Sequence, residues 1–270
     1  RDSKKPRDMA YWVMKLGQHK DLVPTLGDEL CGLGALSKET SKVFGIFDRT
    51  VFKGERWSTT RAYLDPARRR KNLTIITKAL VCNLILENNT ATGVCFKNNK
   101  DKIFNVKSKK EVILCAGAVG SPHLLMLSGI GPKDHLKSMG INLKADLPGV
   151  GQNLQDHPDF MIKYKCLKPV TLWPKTKKLN SVGAGIQWLL TREGMCASNH
   201  FDAVACVRSG PTVEYPDLQF CISPIAMDDN TWQPLQEHAF QVHVGLMRTH
   251  SRGKIELRSS NPADPPRILV

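Results

Sequence analysis

Glu111-Val112-Ile113-Leu114-Cys115-Ala116-Gly117-Ala118-Val119-Gly120-Ser121-Pro122-His123-Leu124-Leu125-Met126-Leu127-Ser128-Gly129-Ile130-Gly131 is the stretch whose reading decides the fold. The apolar run from Val112 to Ala116 predicts a strand buried on both faces. Gly117 and Gly120 then permit a tight turn through backbone conformations that side chains disfavour. Ser121 suits a helix N-cap and Pro122 the first helical position, and Gly129 ends the helix about two turns later. A strand, a glycine turn and a helix start gather free N–H groups and a positive dipole end at one point, which suits a phosphate-bearing ligand. The stretch lacks the G-x-G-x-x-G fingerprint, and βα units that bind nothing carry the same punctuation. The local pattern therefore leaves both readings open.

Outward from that stretch, the composition sets limits. A chain of 270 residues accommodates one large domain or two modest ones, and 41% hydrophobic with 24% charged residues describes a soluble globular protein. No apolar run approaches a membrane span. The chain begins at Arg1 without a Met, so the lack of a leader sequence says nothing of its compartment.

The formal net charge is +14, which brings nucleic acid into consideration. Its basic clusters, Arg68-Arg69-Arg70-Lys71, Lys107-Ser108-Lys109-Lys110 and Lys175-Thr176-Lys177-Lys178, lack interleaved aromatics and flank expected strands. They read as solvated loops, and no nucleic-acid partner is expected. The eight cysteines form no C-x-x-C pair, so no metal site is expected, and their usage suggests a reducing compartment.

Along the chain, Asp8 to Leu16 reads as a short amphipathic helix and Gly27 to Gly45 as loop with helical turns. A hairpin-like segment from Phe47 runs into a helix capped near Ser58. Asn72 to Leu86, Thr92 to Phe96 and Ile103 to Val106 read as three strands, the first two joined at Asn88-Asn89. After a short helix closed by Gly140 comes a turn-rich passage from Asp146 to Asp159. Asp156 and His157 within it are adjacent, so their side chains point apart and a structural role is expected. Beyond Phe160 the pattern predicts strands at 161–167, 203–208, 218–223, 240–247 and 254–257, with one helix from Val182 to Leu190 stopped by Gly194. Serial strands of this kind imply a mainly antiparallel sheet.

A small-residue turn, Ser121-Pro122, an apolar run and then Ser128-Gly129-Ile130-Gly131 together resemble the second signature of the glucose–methanol–choline (GMC) flavoprotein oxidoreductases. Gly54-Glu55-Arg56-Trp57-Ser58 with Ala62-Tyr63-Leu64, and the passage from Asp146 to Asp159, resemble the same family. Gly194 to Asp202, Tyr215 to Phe220, Gln241 to Arg248, Ser251-Arg252-Gly253 and Asn261 to Pro266 resemble its choline dehydrogenase branch.

The resemblance implies an α/β (α+β) fold: part of an FAD-binding domain with a mainly antiparallel substrate-domain sheet. It assigns residues 1–54 to a substrate-domain or connecting piece, 55–150 to part of the FAD-binding domain and 151–270 to part of the substrate domain. The cofactor is FAD, with Val81 at the adenine end and Ala116, Gly117 and Ala118 in the cradle. Without the resemblance, Val81 is equally a buried strand residue.

The family's G-x-G-x-x-G segment is expected ahead of Arg1. Its His-Asn or His-His pair, which takes the alcohol proton while hydride passes to flavin, is expected beyond Val270. No catalytic residue is therefore assigned within the chain. The implied substrate is a small-molecule alcohol, choline or a related primary alcohol, and the sequence does not reveal the electron acceptor. Asp159 stands where the branch places a Glu, and Cys221 where a strand His is common. Asp159 reads equally as a solvated loop carboxylate. The branch suggests peripheral membrane association, in mitochondria or on the bacterial cytoplasmic membrane. The altered positions also admit a degenerate, non-catalytic relative, or an enzyme for another alcohol or sugar.

Overall fold

The computed structural model describes residues 42–46, 49–201 and 203–270, with backbone alone for 42–46. The expected helix at Asp8 to Leu16 and most of the loop from Gly27 to Gly45 lie outside the described residues. In chain order the elements used below are β1 (Lys42–Ile46), β2 (Ala79–Glu87), β3 (Thr90–Asn98), β4 (Ile103–Lys107), α1 (Gly117–Leu127) and β5 (Asp159–Lys165). They continue with α2 (Lys178–Thr191), β6 (Ala203–Val207), β7 (Leu218–Ser223), β8 (Ala239–Leu246), β9 (Lys254–Glu256) and β10 (Arg267–Leu269). The described residues form two compact units: those up to Arg70 with those from His157 to Arg248, and those from Lys71 to Asp156 with those from Thr249 to Val270. The chain thus changes unit after Arg70, Asp156 and Arg248, whereas the sequence placed divisions after residues 54 and 150.

In the second unit, β2, β3 and β4 form an antiparallel sheet in that order. Asn88 and Asn89 take φ values of +48° and +62°, the primed geometry that a two-residue hairpin turn prefers. Phe96 lies opposite Phe104, and their rings stack at 5.2 Å. The strand expected from Asn72 begins only at Ala79, because Lys78 turns through φ +54° immediately before it.

The core of this unit is Met126 from α1, Leu136 from the short helix Lys133–Ser138, Ile255 from β9 and Leu257, each no more than 2% exposed. Ser128 ties α1 to the sheet: its buried hydroxyl donates to Leu124 O at 2.6 Å and accepts from Leu84 N–H at 2.8 Å. Gly129 follows at φ +86°, with Asn142 O only 2.4 Å from where a Cβ would stand. Glycine is required there twice over, by conformation and by space.

Two expectations for the opening stretch are corrected here. Val112 to Ala116 forms no strand and joins no sheet among the described residues, and Ile113 is 73% exposed. A strand buried on both faces needs ladder partners on both sides, and none of the described residues supplies them. The helix begins at Gly117 rather than after Ser121. Gly117 makes the turn at φ +78°, and Ser121 Oγ, one turn into the helix, accepts the Ala116 N–H at 3.2 Å. Pro122 therefore lies inside α1 near its start, where its missing N–H removes a single intrahelical bond.

The first unit is built on a fully antiparallel five-stranded sheet in the order β1-β6-β7-β8-β5. The end of the expected 27–45 loop is thus edge strand β1. A small hairpin pairs Val51–Phe52 with Glu55–Arg56 through Lys53 at φ +49° and Gly54 at φ +69°. Ser58 Oγ accepts Arg61 N–H at 3.4 Å as the chain enters the helical turns that follow, as the capping pattern predicted.

Helix α2 is anchored by Trp188, whose indole N–H donates to Gly54 O at 2.6 Å. The Arg192 guanidinium lies 4.3 Å from the centroid of the same ring. Held in that way, Arg192 ends the helix in the left-handed conformation at φ +59°, two residues before the expected stop at Gly194.

Candidate functional site

The second unit carries a cleft of about 390 Å³, within the usual range of small-ligand sites. Leu80 and Val81 of β2, Val112 and Ala116 of the segment leading into α1, and Gly120 and His123 of α1 stand around it. Of the residues expected in a cofactor cradle, Val81 and Ala116 meet in this cleft. Gly117 and Ala118 do not line it; they form the exposed first residues of α1 beside it.

Three observations bear on whether this cleft suits a nucleotide cofactor. β2 is an edge strand with no partner strand along its outer side among the described residues, although Ser128 Oγ takes the Leu84 N–H there. Nothing lies within 4 Å of a Cβ built on Gly117, so the start of α1 is open to a close approach. His123 Nε2 is shielded from solvent and has no hydrogen-bond partner among the described residues. Burial pushes its imidazole below the ordinary histidine value, which favours the neutral ring. An apolar cleft with open backbone donors and one unsatisfied ring nitrogen fits part of a dinucleotide. His123 stood in the opening stretch unremarked, because its helical position there carries no polar periodicity.

The first unit holds a smaller, open pocket of about 210 Å³. Its floor is one face of the sheet. Strand alternation and register place Cys221 opposite His243, and Gly245 opposite both Gln219 and Asp159. Gly245 leaves the middle of that second row without a side chain; a Cβ there would meet only Pro158 O, at 3.9 Å. His157 and Phe201 stand at the rim, and the Phe201 ring meets the His243 ring edge to face at 5.2 Å.

The residues assigned to substrate, Asp159 and Cys221, therefore share this pocket. Asp159 Oδ2 lies 2.6 Å from His243 Nδ1, a diagonal cross-strand contact. Burial first, then the charge of Asp159 and the nearby Cys206, push the Cys221 thiol up to about 11. Cys221 is thus a neutral thiol at physiological pH and no nucleophile.

The sequence resemblance gives Gln241 and His243, in the motif Gln241-Val242-His243-Val244-Gly245, no role of their own. The signal was present: polar residues at alternating positions of an otherwise apolar strand mark one inward polar face. Among the described residues, no three His, Cys, Asp or Glu side chains cluster as metal ligands.

This pairing of an antiparallel substrate-type sheet with a βα cleft defines a class. The GMC oxidoreductase family model matches residues 35–159. The oxygen-dependent choline dehydrogenase of Ectopseudomonas mendocina (strain ymp) is 45% identical over 228 residues, covering 84% of this chain and 40% of the relative. That of Staphylococcus xylosus is 45% identical over 226 residues, with the same shares of each chain.

Among solved structures, formate oxidase aligns with a TM-score of 0.74 at 23% identity, over 81% of this chain and 42% of that one. Pyridoxine 4-oxidase from Mesorbium loti aligns with a TM-score of 0.67 at 27% identity, over 84% and 40%. Over the matched residues the chain is similar to the GMC oxidoreductases, the family its motifs resemble, and it spans about 40% of the length of the curated relatives it matches.

Proposed function

We propose that this chain is part of an FAD-dependent oxidoreductase that takes hydride from the CH–OH carbon of a small alcohol, with choline or a related cationic primary alcohol as substrate. The observation that carries the cationic reading is the Asp159 carboxylate in the first unit's pocket, beside Phe201. A quaternary ammonium offers no hydrogen to donate, so a protein holds it with a carboxylate and aromatic faces. The 45% identity to oxygen-dependent choline dehydrogenases supports the same reading.

Val81, Ala116 and the first N–H groups of α1 would hold part of FAD, and flavin supplies the hydride acceptor when bound. In the second unit this chain's own residues keep the cleft apolar. In the first, Asp159 orients the cationic end of the substrate while Gly245 leaves it room. Peripheral association of the whole protein with a mitochondrial or bacterial membrane is part of this proposal. No described helix is long and apolar enough to cross a bilayer.

The test is anaerobic flavin reduction in the whole protein by choline and by neutral alcohols of similar size. Choline is expected to reduce the flavin fastest. Asp159→Asn should raise the choline KM about tenfold or more, the loss of one charge-assisted contact, and leave the neutral alcohols unchanged. Equal losses for both substrate classes would remove the carboxylate from cation recognition.

A further inference from the structure

Gln241, on β8, is buried at 5% exposure two residues from His243, on the same face of the sheet. The Met227 backbone N–H, which can only donate, meets Gln241 Oε1 at 2.9 Å. That contact fixes the amide, so its NH₂ group faces His243 Nε2 at 2.7 Å, with Met161 Sδ 3.9 Å away. An amide NH₂ only donates, so His243 Nε2 must offer its lone pair. A neutral imidazole carries one N–H, which then sits on Nδ1 and donates to Asp159 Oδ2 at 2.6 Å. A proton on Nε2 would set two donors against each other. The amide cannot rotate to relieve them without leaving the Met227 N–H unpaired.

We propose that Gln241 is the positioning residue of this pocket: it holds His243 as the neutral Nδ1–H tautomer, so that Asp159 keeps an uncompensated negative charge for a cationic ligand. The same geometry denies the ring a role as proton acceptor, because its one lone pair is turned to Gln241 and away from the pocket. An imidazolium here would put a positive charge 2.6 Å from the carboxylate and weaken its hold on a cation. The groups opposite the ring add no charge. Cys221 on β7 is a neutral thiol, and Met161 on β5 is a thioether. The part of the inference that concerns cations rests on the function proposed above; the tautomer does not.

The test uses the flavin-loaded whole protein labelled with 15N-histidine, as wild type and as Gln241→Glu, with His243→Asn to assign the signals. Gln241→Glu is isosteric and keeps an oxygen for the Met227 N–H, but it replaces the donor with an acceptor. Wild-type His243 is expected to show a protonated Nδ1 and a bare Nε2 at neutral pH, and the variant a protonated Nε2. Tetramethylammonium, titrated by calorimetry, should bind the variant about tenfold more weakly. A protonated Nε2 in the wild type, or a ring left unchanged in Gln241→Glu, overturns the positioning role. If the ring behaves as stated while tetramethylammonium binds neither protein, the positioning role stands and the cation reading alone is overturned.

Discussion

The cleft of the second unit is walled by Val81, Val112, Leu114 and Ala116 and draws its polar character from backbone at an edge strand and a helix start. The pocket of the first unit is paved with the side chains of Asp159, Gln219, Cys221 and His243, two of them joined in a 2.6 Å contact. One site presents main chain, whose chemistry is the same whatever the sequence. The other presents side chains, whose chemistry is written in the sequence and whose pairing is written in the register. The first should therefore fail when its packing fails, and the second when a single side chain changes.

The largest expected effect falls on packing. Leu136 is fully buried against Met126, Ile255 and Leu257. Leu136→Ala should cost about 2–5 kcal/mol, the transfer of the lost methyl groups plus the cavity left behind. Hydrogen exchange should lose protection in α1 and β9 while the five-stranded sheet keeps its own. Equal loss in both units would break the division between them.

These two modes of construction also explain what was legible beforehand. The antiparallel sheet could be read because its strands are short, apolar and separated by turn residues, and Leu218–Ser223 was placed to the residue. The hairpin at Asn88-Asn89 could be read because only such residues adopt its φ values cheaply. The Val112 to Ala116 run was misread because hydrophobicity records the burial a segment is suited to, while a strand also requires partners to hydrogen-bond. The helix start was misplaced because Ser121 does cap the turn, but from inside, by reaching back to the Ala116 N–H. The Gln241–His243–Asp159 relay was out of reach because Asp159 and His243 stand 84 residues apart, and only the β8–β5 register brings them together.

Next in size is a change that sharpens the side-chain half of the comparison. Gly245 has no positive φ, and a Cβ there meets nothing closer than Pro158 O at 3.9 Å. Gly245→Val should fold normally, since β-branched residues suit a strand, and should fill the gap between Gln219 and Asp159. Tetramethylammonium affinity should fall about tenfold or more with the thermal midpoint unchanged. Gly54→Ala provides the contrast. A Cβ there would lie 1.7 Å from Arg192 O, so stability should drop although that residue is no part of the pocket. A Gly245→Val protein that binds as before would show that this pocket is not where the ligand sits.

The smallest effect concerns the one side-chain polar atom that the second unit's cleft leaves unsatisfied. His243 has both ring nitrogens partnered, whereas His123 Nε2 has no partner among the described residues. Burial holds the His123 pKa below its ordinary value of 6.5, so the folded unit binds fewer protons there than the unfolded chain does. Its stability is therefore complete above the unfolded value and declines as pH falls through the interval between the unfolded and the lower folded pKa. Urea midpoints followed from pH 8 to pH 5 should show that decline. His123→Phe, which keeps a ring in the same apolar wall and removes the titrating nitrogen, should flatten it. A variant with the same acid slope as the wild type would assign the decline to carboxylates elsewhere.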